Sequence, residues 1–113
     1  MLVLAAADPA QPYGAAISWP KVEGRPNRSA GAYVILDGGQ LACFVERGGK
    51  SIVVFDRESS WVDGLKRLVE QNNIRLEVAQ INSKPAAENP ELRQGLLDAG
   101  FVAGYKGLSW KAS

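Results

Sequence analysis

Ala30-Gly31-Ala32-Tyr33-Val34-Ile35-Leu36-Asp37-Gly38-Gly39-Gln40-Leu41-Ala42-Cys43-Phe44-Val45-Glu46-Arg47-Gly48-Gly49-Lys50-Ser51-Ile52-Val53-Val54-Phe55 is the stretch around which this chain is organised. Three β-rich runs, 32–36, 41–45 and 52–55, are separated by two Gly-Gly pairs. Asp37-Gly38-Gly39 and Arg47-Gly48-Gly49 supply the positive-φ positions that tight hairpin turns require, so the stretch predicts a β-meander. The runs are apolar almost throughout, where a half-buried strand would alternate. Such strands are either covered on both faces or curl into a small barrel.

Downstream, Trp61, Leu65, Leu68 and Val69 recur at helical spacing and predict a helix over 59–73, started by a capping box of Ser60 with Asp63 and stopped at Asn72-Asn73. Gly64 sits in its middle at a cost of about 1 kcal/mol relative to alanine. Residues 74–81 alternate and predict one strand with a buried face. A loop follows over 83–88. Asn89-Pro90-Glu91 then marks a second helix, ended by Gly100. Short strands are expected at 101–103 and 108–110. The fold class is therefore α+β: a strongly twisted, barrel-like, mostly antiparallel sheet in the order β-β-β-α-β-α-β-β, with two helices.

Upstream, Leu2-Val3-Leu4-Ala5 is a short strand candidate. The segment from Asp8 to Pro20 holds three prolines, which exclude a regular helix or a central strand. It also carries Tyr13, Ile17 and Trp19, so residues 1–29 are expected to form an extended arm whose aromatic rings dock on the body, residues 30–113.

The chain has 113 residues, 13 Lys and Arg against 12 Asp and Glu, no histidine and one cysteine. That length suits one domain. The charge balance creates no strong global field, and a nucleic-acid site would have to be a local patch. The lack of histidine removes the commonest general base and metal ligand and excludes a Ser-His-Asp triad; with one cysteine besides, it comes close to excluding a zinc site. Cys43 lies in mid-strand and reads as a small buried hydrophobe; one cysteine cannot form an intramolecular disulfide. No run reaches membrane-spanning length. A cytoplasmic location with no membrane partner is the expectation.

Several residues carry candidate chemistry. Arg47-Gly48-Gly49-Lys50-Ser51 would need a glycine at the position of Phe44 to match a phosphate-binding loop, and it runs into a strand, not a helix. It reads as a hairpin turn; its functional alternative is a glycine turn, flanked by Arg47 and Lys50, that lets a nucleic-acid backbone approach. Lys21, Arg25 and Arg28 form a basic cluster, and Lys106 and Lys111 flank the last strand beside Tyr105 and Trp110. Phosphate contact is weighed there against a solvated loop and edge strand. Asp37, Glu46 and Asp8 are the carboxylates on which an acid/base site would rest; each also suits a turn. Trp61 reads as core.

Three groups of residues together resemble a known family: the segment from Asp8 to Pro20; Arg28-Ser29-Ala30-Gly31-Ala32-Tyr33-Val34-Ile35-Leu36-Asp37-Gly38-Gly39-Gln40-Leu41 with Val45-Glu46-Arg47-Gly48-Gly49-Lys50-Ser51; and Leu92-Arg93-Gln94-Gly95-Leu96-Leu97-Asp98-Ala99-Gly100-Phe101 with Lys106-Gly107-Leu108. In this order they are similar to the end of the large helicase-related (Lhr) proteins, bacterial ATP-dependent DNA helicases of superfamily 2. The resemblance implies a C-terminal module whose ATP- and magnesium-using motor lies upstream. It further implies a string of winged-helix modules ending in a barrel-like one, as in a family of bacterial DNA glycosylases. The Gln-x-Gln pair of those glycosylases is absent here, so no catalytic residue and no cofactor of this chain follows from the resemblance. The final Lys111-Ala112-Ser113 is less basic than the family's ending.

The functional expectation is a non-catalytic accessory module of a DNA-repair-related helicase. It would support DNA binding, single- or double-stranded, or docking onto upstream domains of the same polypeptide. The nucleic-acid candidates are Lys21, Arg25, Arg28, Arg47, Lys50, Lys106 and Lys111. The alternatives are part of a base-excising, glycosylase-like unit and a purely structural interaction module.

Overall fold

A computed structural model describes residues 1–15, 17–20 and 26–111. The elements are β1 (Leu2–Ala5), β2 (Tyr33–Asp37), β3 (Gln40–Val45), β4 (Ser51–Val54), α1 (Trp61–Asn72), β5 (Arg75–Val78), β6 (Gln80–Ile81), β7 (Lys84–Pro85), a 3₁₀ turn (Ala86–Glu88), α2 (Pro90–Asp98), β8 (Val102–Ala103) and β9 (Leu108–Lys111). They form two sheets, a six-stranded one in the order β1-β2-β3-β4-β6-β7 and a three-stranded one in the order β5-β9-β8. Every pairing is antiparallel except that of β4 with β6. The mixed α+β class with two helices holds; among the described residues the strands make two open sheets and no closed barrel.

The meander forms as its glycines require. Asp37 pairs with Gln40 across Gly38 and Gly39, both at positive φ, the geometry of a two-residue hairpin. The near-continuous apolar runs have a direct cause, for the large sheet is covered on both faces. Ile35, Cys43, Val45, Ile52 and Val54 point into a core with Trp61, Leu65, Leu68 and Val69 of α1, Leu92 and Leu96 of α2, and Leu76, Val78 and Leu108 of the small sheet. Val34, Leu36, Leu41, Phe44 and Val53 point the other way, against Ala6, Tyr13 and Trp19. A bulge beside Ala42 keeps both sets in phase: Ile35 pairs with Cys43 but Leu36 with Leu41.

The N-terminal segment covers the second face by a buried polar knot. Gln11 has no exposed surface; its Nε2 donates to the carbonyls of Ala6 (2.9 Å) and Tyr13 (3.1 Å), and its Oε1 accepts the Tyr13 N–H. Trp19 stacks on Tyr13 and meets Phe44 edge-on, with centroids 6.3 and 5.8 Å apart. Ile17 stays exposed; its N–H donates to the Pro12 carbonyl (3.0 Å) and its carbonyl accepts the Gly14 N–H (2.7 Å).

Four local expectations are corrected. Ser60 precedes α1 without a side-chain cap; its own N–H donates to Asp37 Oδ2 at 3.0 Å, so the acid across the sheet replaces Asp63. Asn89 likewise sits ahead of α2, but its Nδ2 donates to the Ile81 carbonyl at 2.9 Å and so ties the helix start to β6. The strand expected over 74–81 is two strands in different sheets. β5 pairs with β9 while β6 pairs with β4, and the chain changes sheets at Ala79. The loop expected over 83–88 contains β7 and the 3₁₀ turn, after a hairpin whose tip, Asn82 and Ser83, has φ of 53° and 68°. Among the described residues no helix is long and apolar enough to cross a membrane.

Candidate nucleic-acid interface

The small sheet has one face in the core and one in solvent. Leu76, Val78 and Leu108 face inward, so by strand alternation Arg75, Glu77, Ser109 and Lys111 share the outer face. Register sets their neighbours: Arg75 lies opposite Lys111, Glu77 opposite Ser109, and Ser109 opposite the exposed Val102. Two cations directly opposite each other across a strand pair repel. Glu77 relieves part of this, 3.9 Å from Arg75, and Arg75 also donates to Ser109 Oγ at 3.3 Å.

At the other end of this face two turns converge. The Lys50 carbonyl accepts the N–H groups of both Ala79 (2.8 Å) and Gln80 (3.0 Å), which fastens the β3–β4 turn to the crossing between sheets. The β8–β9 hairpin closes through Gly104 N–H to the Gly107 carbonyl (2.8 Å) and presents Tyr105 and Lys106 at its tip. Gly107 is required there: its φ is 151°, and a Cβ would stand 2.3 Å from the Val78 carbonyl oxygen. Lys50, Glu77, Ala79, Tyr105 and Lys106 thereby line an open groove of about 500 Å³. An adjoining hollow shares Ala79, Tyr105 and Lys106 and adds Arg93 of α2. A further hollow holds Arg75, Ser109 and Lys111.

The structure thus gathers three of the sequence candidates, Lys50, Lys106 and Lys111, along one side of the small sheet. Arg28 stands elsewhere and is occupied: Nη1 donates to the carbonyls of Gln11 (2.6 Å) and Tyr13 (2.9 Å), and Nη2 to that of Asp8 (3.0 Å). Arg47 is exposed, with its aliphatic stem over Gly31 just ahead of β2. Lys21 and Arg25 lie outside the described residues.

The two aromatic candidates differ. Trp110 is half-buried, stacked on Phe101 and covered by Lys66, whose Nζ is 5.1 Å from the ring centroid and donates to the Ala99 carbonyl. Tyr105 is wholly exposed. Arg75 and Arg93 were not legible as site residues. Both fit amphipathic patterns that already account for them; the pairing of β5 with β9 brings Arg75 to the face, and the placement of α2 brings Arg93 to the hollow adjoining the groove.

The carboxylates do not converge. Asp37 and Glu46 flank opposite ends of the β2–β3 hairpin, roughly 17 Å apart at strand spacing. Asp37 is engaged by Ser60, and Asp8 Oδ1 accepts the Ala10 N–H at 2.8 Å. Among the described residues no three metal-ligating side chains cluster.

Fold and face together define a small α+β module whose open side is cationic. No family model matches the chain. It is 40% identical over 120 aligned positions, 95% of its length, to a protein of Mycolicibacterium smegmatis named Lhr helicase/probable uracil glycosylase. It is 28% identical over 117 positions, 96% of its length, to the Lhr helicase/uracil glycosylase of Escherichia coli. These matches make the chain a homologue of part of the Lhr-type helicases, the family its sequence resembles. It spans only 8% of the length of each relative.

Proposed function

We propose that this chain is a non-catalytic C-terminal accessory module of a DNA-repair-related helicase, and that it holds DNA by its phosphates along the outer face of the small sheet. In this reading its other partners are the upstream domains of the same polypeptide, ATP and magnesium serve only the upstream motor, and the setting is the cytoplasm. The observation that carries it is the joining of Lys50, Lys106, Lys111 and Arg75 along one open side of the small sheet, where Glu77 is the carboxylate that faces Arg75. A row of cations that repel one another gains most from a polyanion, which releases its condensed counterions on binding.

The test is fluorescence anisotropy of labelled single- and double-stranded DNA against the chain at low salt. Binding is expected to weaken as salt rises, toward the roughly 1–100 µM that phosphate contacts alone support at physiological salt. The double variant K50E/K106E is expected to bind at least about tenfold more weakly and with a salt slope lower by about one per lost contact. A chain that binds neither DNA, or a double variant that binds as well as the parent, overturns the reading.

A second reading follows from the names of the two relatives, both of which include a uracil glycosylase. Base excision by this chain would need Asp37, Glu46 or Asp8 to act near a bound base. Their separation, and the engagement of Asp37 and Asp8 by backbone N–H groups, favour the cationic face as the working surface. Cleavage of a uracil-containing oligonucleotide by the chain, abolished by substituting one of the three, would reverse that preference.

A further inference from the structure

We infer that Tyr105 is a stacking platform for an unpaired nucleobase, so that the groove takes single-stranded DNA in preference to duplex; this rests on the phosphate-binding reading of the same face. The other large aromatic side chains with ring contacts have partners inside the fold. Tyr13 stacks on Trp19, which meets Phe44 edge-on; Phe101 stacks on Trp110, and Lys66 covers Trp110. Tyr105 has no ring contact among the described residues and is 103% exposed, as open as in an extended peptide.

The ring is held out by a fixed mount. Its two-residue tip is closed by the Gly104–Gly107 hydrogen bond, and Gly107 is wedged against the backbone of Val78 and Ala79. A platform held in place loses little freedom when a base settles on it. The groove beside it lies within the range of ligand clefts, about 300–1,000 Å³. Lys50 and Lys106 line that groove, and Arg93 the adjoining hollow, so cations flank the ring on the side where a strand's phosphates would run. Aromatic faces bind bases of any sequence, because every base has a π-face. In a duplex those faces are already stacked on each other, and the exposed ring finds no partner.

The experiment compares the chain's affinity for a labelled single strand, for the same strand built of abasic sites, and for the duplex. The abasic strand keeps the phosphates and lacks the rings. The base-bearing strand is expected to bind about five- to a hundredfold more tightly than the abasic one. Y105A is expected to erase that difference while leaving the abasic and duplex affinities unchanged, and Y105F to retain it. K106Q is expected to weaken all three. Equal binding of the base-bearing and abasic strands, or an equal loss on all three with Y105A, overturns the stacking role and leaves the phosphate reading standing. Failure of all three to bind overturns both. Because the ring is fully exposed among the described residues, a circular dichroism spectrum of Y105A that departs from the parent's also counts against the inference.

Discussion

Gly64 shows how one residue can be misjudged from helix propensity alone. Its position in mid-helix predicts a gain of about 1 kcal/mol on substitution by alanine. In the structure it packs α1 directly against the large sheet: a Cβ there would stand 2.4 Å from Ile35 Cγ2. That methyl is on a β-branched, fully buried side chain with little freedom to retreat. Overpacking of this kind costs about 1–3 kcal/mol, more than the propensity gain. G64A is therefore expected to lower the urea midpoint, and to cost less when introduced into I35A than into the parent. A raised midpoint for G64A would show that the sheet yields. Trp61 and Cys43 were legible as core because their apolar surroundings announce burial. Arg28 was not legible as a staple. Its three acceptors are carbonyls fifteen to twenty residues away, and a carbonyl carries no signature in sequence.

Among the elements, those defined by local chemistry could be read and those defined by a partner could not. The meander, the start of α2 at Pro90 and its stop at Gly100 follow from backbone preferences at those residues. The division of residues 75–81 between two sheets does not. The same alternation serves one strand or two, and only the partners, β9 for one half and β4 for the other, decide. The partition depends on Asn82. Its Oδ1 accepts the Val54 N–H at 2.7 Å and its Nδ2 donates to the Val54 carbonyl at 3.3 Å, so a side chain continues the β4–β6 pairing beyond the end of β6. Asn82 also takes a left-handed backbone that few other residues accept. N82A, which loses both features, is expected to cost about 2–4 kcal/mol by thermal or urea unfolding. N82G keeps the backbone freedom and isolates the two hydrogen bonds, at about 1–3 kcal/mol. Parent-like stability of N82G would remove the side chain from the account of this junction.

At the scale of the whole molecule, coverage of the large sheet on both faces makes Cys43 a reporter of global opening. It is fully buried, and burial pushes its thiol well above the ordinary range, against the opposing pull of backbone hydrogen bonds from Phe44 and Val53. The native chain is expected to resist a thiol reagent at neutral pH and to react at the rate at which it unfolds. Rapid native-state labelling would show that the N-terminal cover lifts locally. The folded thiol is held above its unfolded value, so its contribution to stability is whole below about pH 8.5 and is lost as alkali ionises the unfolded chain. Burial of the meander on both faces was one of two outcomes its apolar runs allowed, and the ring-bearing N-terminal segment supplied the second cover. The cationic face was legible only in part. Lys50, Lys106 and Lys111 stood out by composition, but that they share a side of the molecule depends on where β9 pairs.

Lys50 performs two duties through separate atoms. Its carbonyl oxygen, shared by the amides of Ala79 and Gln80, stitches the sheets together, while its ammonium group is the proposed phosphate contact in the groove that Lys50 lines. Replacing the ammonium group leaves the stitch untouched, because any residue brings the same oxygen. Whatever such a replacement takes away from a ligand can be assigned to charge, with the frame behind it still intact.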